Sequence, residues 1–349
     1  MGSEETSNKS LSESELLESL KGHRLGPYLS FNPVSATQIW QWCSAMGDNN
    51  PCYLPGDKQI APPAMMQMWT MRDINDCYAP GSTDAAPYKV FDDMKAMGYP
   101  ANVAVSYDIQ FHRYLRERDR AKHYTTVVNI SDKKTTGLGI GFFVTERVEY
   151  LTQDEKLFAE ALITYFQYQP AEKKAASEAG KPEGEKAIAK ASEPEVAGES
   201  VWQPDFQSID VTQLTVGDTL PELVIPITHK LIVGGAIATQ DFIPVHHNVP
   251  EAQAAAMPDI FMNILTTSGL SARYLSDWAG SDSRLKHIKF NLMAPNLPGD
   301  RMVMEGEVTA VNTTEAGGEV MVAFGGKNRM GYHTKGTATL AVPATNLPK

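Results

Sequence analysis

Residues 171–200 read AEKKAASEAGKPEGEKAIAKASEPEVAGES, a stretch without an aromatic side chain in which only Ile188 and Val196 are sizeable apolar groups. Such a segment cannot bury enough surface to offset the entropy of ordering it. It reads as a flexible linker, partly helical in composition. Outward from it lie two halves of similar length, residues 28–170 and 201–349, preceded by a polar leader at residues 1–27. Two similar lengths on either side of a linker invite a search for an internal repeat.

The halves share an order of parts. In the first, FNPVSATQIWQWCSAMGDNN is helical from a Ser35/Thr37 cap region. A loop from Pro51 to Pro63 follows, then an apolar helix, AMMQMWTMRDI, and four alternating strands: VAVSYDIQFHRYL, HYTTVVNIS, GIGFFVTERVEYL and LFAEALITYFQYQ. In the second, a strand (ELVIPITHKLIV) leads to a loop-helix (DFIPVHHNVPEAQAAAM) and a longer helix, PDIFMNILTTSGLSARYLSDWAG, closed by Gly280. Three strands end the chain: LKHIKFNLMAP, RMVMEGEVTAVN and HTKGTATLAVP. The two-residue period is plain in Met302, Met304, Gly306 and Val308 against Arg301, Glu305 and Glu307. A long helix followed by antiparallel strands, twice over, predicts an α+β design in which each sheet buries one face on its helix.

The bulk numbers exclude several classes. With 349 residues, 42% hydrophobic and 21% charged, the chain can bury the cores of two domains. A net charge of −11 argues against a nucleic-acid surface. No apolar run approaches the roughly 20 residues a bilayer requires. Cys43, Cys52 and Cys77 are too few for a disulfide framework or a zinc site, so reduced thiols in a cytoplasmic protein are the simple reading. The opening MGSEET lacks the apolar core of a secretory signal; its Gly2/Thr6 match to a myristoylation pattern weighs less than the leader reading. The remaining histidines (His23, His112, His123, His229, His287, His333) show no metal-ligand spacing.

Chemistry concentrates in Asp241-Phe-Ile-Pro-Val-His246. An acid and a histidine five residues apart, bent around Pro244, can be turned to one point. Imidazole moves protons in either direction near neutrality, and a carboxylate can hold a water and share that work. Adding water across a conjugated C=C needs such a pair, with donors for the carbonyl oxygen where charge collects. By itself the spacing also fits a purely structural histidine. Neighbouring His247 is assigned to packing or loop hydrogen bonds, and Asn248 to the cap of a helix beginning near Pro250.

The first half carries Gly47-Asp48-Asn49-Asn50-Pro51-Cys52-Tyr53, which resembles the signature of the MaoC-like (R)-specific enoyl-CoA hydratases, Gly-Asp-x-Asn-Pro-x-His. Tyr53 stands where that family has its catalytic histidine, and a phenol is a poor proton shuttle at neutral pH. The second half keeps Asp241, Pro244 and His246 in the same frame, with Gln240 and Ile243 in place of Gly and Asn. The long helix from Pro258 is similar to the family's central helix, and HIKFNLMAPNLPGDRMVMEGEVTAV to its strand–turn–strand. The chain also resembles the two components of actinobacterial steroid side-chain hydratases joined end to end.

The resemblance implies a double hot-dog fold, each half a long central helix wrapped by an antiparallel sheet. It implies Asp241 and His246 as catalytic groups, and an oxyanion donor from the backbone N–H of Ile260 or Phe261 at the start of the central helix, where amides are unpaired. The substrate would be a bulky, steroid-type enoyl-CoA, with CoA arriving as part of it and no separate cofactor or metal. Tyr53, Met65, Met68 and Trp69 are expected to line the acyl cavity; simple core filling is the other reading of these methionines. The CoA phosphates would need Arg284, Lys286 and Lys289, or Arg113, Arg116, Arg118, Arg120 and Lys122, though solvated strand ends explain both clusters equally well. A homodimer of the fused chain is expected. Two other functions stay open: a hot-dog thioesterase, and a non-catalytic acyl-CoA-binding or scaffold protein.

Overall fold

The computed structural model describes residues 12–171, 202–255, 257–314 and 317–344. The predicted linker, apart from Ala171, and the first eleven residues of the predicted leader lie outside the described residues.

Five main strands from each half pair into one antiparallel sheet. The first half supplies β1 (Arg24–Leu29), β2 (Ala101–Phe111), β3 (Ala121–Ile130), β5 (Gly139–Thr152) and β6 (Leu157–Pro170), with the short β4 (Lys134–Thr135) on β5. The second supplies β7 (Thr219–Pro226), β8 (Arg284–Leu292), β9 (Arg301–Thr314), β10 (Gly317–Asn328) and β11 (Gly331–Pro343). The order β1-β3-β5-β6-β2-β8-β11-β10-β9-β7 is the same from either end, so the predicted repeat is real at the level of topology. β2 and β8 pair antiparallel at the middle, from Ser106 opposite Asn291 to Gln110 opposite His287.

Helices α1 (Glu13–Ser19), α2 (Ala36–Met46), α3 (Lys89–Ala96), α4 (His229–Ala238), α5 (Val249–Ala254) and α6 (Ile264–Ala279) complete the described elements. α6 is buried along almost its whole length, and the main core joins side chains of both halves: Trp42, Met46, Met65 and Tyr107 with Leu270, Leu275, Ile288 and Phe290. α2 and α4 both pack on α6. Gly235 permits the α4 crossing, since a Cβ there would lie 2.3 Å from Thr266 Oγ1.

Several expectations need correction. The segment AMMQMWTMRDI is not the first half's central helix: it forms two 3₁₀ turns, Pro63–Met65 and Met68–Thr70. Its hydrogen bonds span three residues, from Met65 N–H to Pro62 O (3.1 Å) and from Thr70 N–H to Gln67 O (3.2 Å). Met71 is extended, and Asp73 Oδ1 accepts from the N–H groups of Asn75 and Cys77, both 2.9 Å, a local turn that competes with further helix. The all-round apolar composition reflects burial, not helix. The first half therefore lacks the long helix that the second possesses.

Residues 13–27 are not a loose leader. Leu17 packs with Val90, Met94 and Phe142, and β1 pairs with β3. The strand ELVIPITHKLIV ends at Pro226 and α4 takes over, capped by Thr228, whose Oγ1 accepts from Leu231 N–H (3.1 Å). Four strands, not three, end the chain. β10 was hidden by Gly325 and Gly326, which look like a turn; a Cβ on Gly326 would lie 2.9 Å from the sulfurs of Met302 and Met304, so neighbouring side chains fill that space.

Candidate active site

The two signature loops have one backbone design. α2 ends at Gly47, in the left-handed region at φ 64°, and Asp48 N–H returns to Cys43 O (2.8 Å). α4 ends the same way: Gln240 holds φ 54° and Asp241 N–H returns to Ala236 O (2.9 Å). Both loops then enter a 3₁₀ turn led by proline, Pro51–Tyr53 and Pro244–His246. Gln240 thus adopts the conformation that glycine supplies in the other half, at some steric cost.

In the second half this brings Asp241 and His246 together. His246 Nε2 lies 3.7 Å from Asp241 Oδ2, and both side chains are buried. His246 Nδ1 is 2.7 Å from the carbonyl oxygen of Phe261, which can only accept, so Nδ1 carries a proton and Nε2 is the ring nitrogen that faces Asp241. The Phe261 ring packs edge-on to the imidazole, with centroids 5.1 Å apart. A distance of 3.7 Å is too long for a direct hydrogen bond, leaving both groups able to engage a third. His247 sits outside the pair, its Nε2 donating to Phe242 O (3.1 Å). Asn248 occupies the cap position of α5 without a side-chain hydrogen bond.

Asn263 completes the arrangement, and the sequence reading missed it. Its Oδ1 accepts from Thr266 N–H (2.8 Å), capping α6, while its Nδ2 donates to Asp241 Oδ2 (2.8 Å) and lies 2.9 Å from Thr239 Oγ1. The cap pattern Asn263-x-x-Thr266 was the available signal. It also moves the central helix's start from Pro258 to Ile264. Ile260 and Phe261 are therefore not first-turn residues. Ile260 N–H is 2.7 Å from Asp259 Oδ1, and Phe261 contributes its carbonyl. The amides that open α6, those of Ile264 and Leu265, have no earlier helical carbonyl to bond.

In the first half the same frame carries different chemistry. Tyr53 is buried, and burial pushes its phenol well above the ordinary range. Asp48 accepts from Asn50 N–H (3.0 Å), and its pKa is raised by burial and partly restored by Arg273. Arg273, from α6, donates to Met46 O (2.9 Å) and to Asp277 Oδ2 (3.2 Å). At φ 64° the Gly47 position favours glycine, and a Cβ there would meet only the tip of the Arg273 side chain, 2.9 Å from Nη1. The loop that lost its histidine has become a seat for a cation of the other half.

No family model matches the chain. The structure superposes on a MaoC-like dehydratase with a TM-score of 0.66 at 18% identity, covering 94% of this chain and 100% of that one. In sequence, the chain is 42% identical over 127 residues to the 3-oxo-4,17-pregnadiene-20-carboxyl-CoA hydratase beta subunit of Mycobacterium tuberculosis, covering 36% of this chain and 95% of that subunit. The chain belongs to the MaoC-like enoyl-CoA hydratases. That family is one of hydro-lyases, and the double hot-dog fold is its architecture here, with the long central helix kept in one half only. The alpha subunit of the M. tuberculosis hydratase is 30% identical over 155 residues, 42% of this chain and 48% of that subunit, so the chain spans about half the length of that relative.

For a MaoC-like hydratase the remaining question is where an acyl group goes. Met65 and Met68 are packed in the shared core, as the core-filling reading had it, and Trp69 edges a small cleft with Met66, Phe111 and Tyr114. Another small space lies beside the short 3₁₀ turns. It holds about 20 Å³, room for a single water, between Gln67, Met71, Tyr88, Tyr150, Ile163 and Tyr165. Burial pushes the phenols of Tyr88 and Tyr165 up, and the charges of Glu146 and Asp241 add to the rise. Tyr88, just ahead of α3, and Tyr165, on β6, come together from distant parts of the chain, which residue order does not show.

Much of the basic inventory is already engaged. Arg113 pairs with Asp119 at 2.8 Å, Lys122 with Glu155, and Lys289 with Asp108 at 2.9 Å, while Arg284 donates to the carbonyls of Ser281 and Ser283. Among the described residues no group of three or more His, Cys, Asp or Glu side chains comes together as a metal site would require, and no helix is long and apolar enough to cross a membrane.

Proposed function

We propose that this MaoC-like hydratase adds water to the conjugated double bond of a bulky enoyl-CoA of the steroid class named for its M. tuberculosis relatives, using Asp241 and His246. The observation that carries the reading is the pair itself: His246 Nε2 and an Asp241 carboxyl oxygen 3.7 Å apart, each side chain fixed by its own partner. A water engaged by both gives a proton to Nε2 as its oxygen bonds the β-carbon. The π electrons move onto the thioester oxygen, and the proton held by the pair returns to the α-carbon, so one water is added and nothing is left over. The opening turn of α6, with the amides of Ile264 and Leu265 and the positive end of the helix dipole, is the region suited to the oxygen's developing charge. This takes over the role expected of Ile260 and Phe261.

The first half serves shape in this reading. Among the described residues it carries two short 3₁₀ turns and no counterpart of the 16-residue α6. A panel of enoyl-CoAs from crotonyl to steroid, followed at the ultraviolet band of the conjugated thioester, tests the proposal. Loss of the band with the steroid substrates, faster than with crotonyl-CoA, is expected. Preference for short linear chains would remove the steroid assignment. Release of free CoA without hydration would replace the activity with thioester hydrolysis.

A further inference from the structure

His333, on β11, is a histidine that the hydration chemistry does not use, and it is only 2% exposed. Its Nδ1 is 2.7 Å from the carbonyl oxygen of Ala294, which can only accept, so Nδ1 carries a proton. Burial pushes the imidazole down to about 4, so near neutrality the ring holds that one proton and Nε2 is an acceptor. Thr267 Oγ1, in the first turn of α6, lies 2.8 Å from Nε2 and therefore donates to it. The same hydroxyl is 3.2 Å from the carbonyl oxygen of Asn263, the bond that a threonine inside a helix otherwise makes to its own backbone. His333 takes the hydroxyl out of that competition.

The turn so tied carries the anchors of the acid–base pair. Phe261 O holds His246 Nδ1, Asn263 Nδ2 holds Asp241 Oδ2, and Met262 between them donates its N–H to Asn296 O (3.1 Å). Asn296 is buried, and its Oδ1 accepts from Asn328 Nδ2 (2.9 Å), which also donates to Pro295 O (2.9 Å). Residues 294–296, just after β8, thus join β10 and β11 to the residues that open α6. We propose that His333 is a positioning residue for the hydration: through Thr267 and Ala294 it fixes the first turn of α6 against residues 294–296, and so holds Asp241 and His246 at their working separation. The inference rests on the Asp241/His246 reading and extends it to a residue whose two ring nitrogens are both spent elsewhere. Neutral imidazole suits the task, since a rigid ring donates at one nitrogen and accepts at the other. Precision matters there, because a displacement of about 1 Å at a reacting group costs on the order of a hundredfold in rate.

The test uses the full chain and whichever of crotonyl-CoA and the steroid enoyl-CoAs it hydrates fastest. Thr267→Val keeps the shape and removes the hydroxyl; kcat should fall about tenfold while KM changes by less than about twofold. Thr267→Ser, which returns the hydroxyl, should recover most of that kcat. In the unaltered chain, nitrogen-15 spectra of labelled histidine should show His333 neutral and protonated at Nδ1 at neutral pH. Unchanged kcat in Thr267→Val, with only Tm lowered, would reduce the contact to packing and overturn the inference, as would a Thr267→Ser as slow as Thr267→Val. A charged His333, or one protonated at Nε2 alone, would overturn it without any variant, so poor folding of Thr267→Val does not shelter the idea. If the unaltered chain hydrates no enoyl-CoA, the parent reading fails and takes this one with it.

Discussion

The Asp48–Tyr53 and Asp241–His246 loops are nearly the same piece of backbone doing different work. Each leaves a helix through a left-handed residue, sends an aspartate N–H five residues back, and turns through a proline-led 3₁₀ step. The loop closer to the family signature, with Gly47 and Asn50 in place, is the one that has exchanged imidazole for a buried phenol. The loop that departs from it at Gln240 and Ile243 keeps the proton-moving pair. Loop geometry is thus held by helix capping and the proline turn, which tolerate substitution, whereas the chemistry depends on one side chain that does not. Surroundings have diverged accordingly. Asn263 anchors Asp241 for use, while Arg273 and Asp277 tie the Asp48 loop to α6.

This contrast can be broken most directly at the pair. Asp241→Ala and His246→Ala should each lower turnover by about 10²–10⁴, the ordinary worth of general acid–base catalysis, with the fold intact by circular dichroism. Near-normal activity in His246→Ala would falsify the assignment. Asn263→Ala should cost roughly tenfold in kcat by freeing Asp241, together with about 1 kcal/mol of stability from the lost cap, measurable by urea unfolding. A stability loss with unchanged kcat would reduce Asn263 to a cap.

The two left-handed positions sharpen the comparison. Gly47→Ala should destabilise by about 1–2 kcal/mol, because its φ of 64° is unfavourable to a residue with a Cβ. Gln240→Gly should be neutral or stabilising by up to about 1 kcal/mol. Equal costs at both positions would show that the loops are not conformational equivalents.

A smaller effect concerns pH. Burial pushes the Asp277 carboxyl up to about 7 from its ordinary 3.8, with Asp48 adding to the rise and Arg273 opposing it. Its folded pKa exceeds its unfolded one, so its contribution to stability is whole below the ordinary value and fades as pH climbs towards about 7. Asp277→Asn should flatten the fall of Tm across that window; an unchanged slope would mean the carboxyl is ionised throughout. Smallest of all should be Tyr53→Phe, which removes a hydroxyl without catalytic duty. A hundredfold loss of turnover there would return the first loop to the reaction.

Much of this was legible in residue order. The alternation that made β2, β3, β5, β6 and β9 and the spacing of Asp241 and His246 around Pro244 both follow from local composition and residue order. Less local features were not. AMMQMWTMRDI is as apolar as a central helix, yet Asp73's turn and the burial of its side chains hold it in 3₁₀ form, and propensity alone does not distinguish these outcomes. β10 hid behind Gly325 and Gly326, whose place in a strand depends on Met302, Met304 and Tyr332 filling the gap. Asn263 looked like one more residue before a helix because its partner, Asp241, lies on another loop.

By itself, the order of amino acids determined that there are two related halves, that only one retains an acid and an imidazole in frame, and that the other carries a phenol instead. These are matters of identity and spacing, which no packing can alter. Only the tertiary structure decided which ring nitrogen of His246 faces Asp241, where α6 begins, and that Glu146 Oε1 is buried without a hydrogen-bond partner. Those depend on hydrogen bonds and burial among residues far apart along the chain, and exist only once the sheet has closed over both halves.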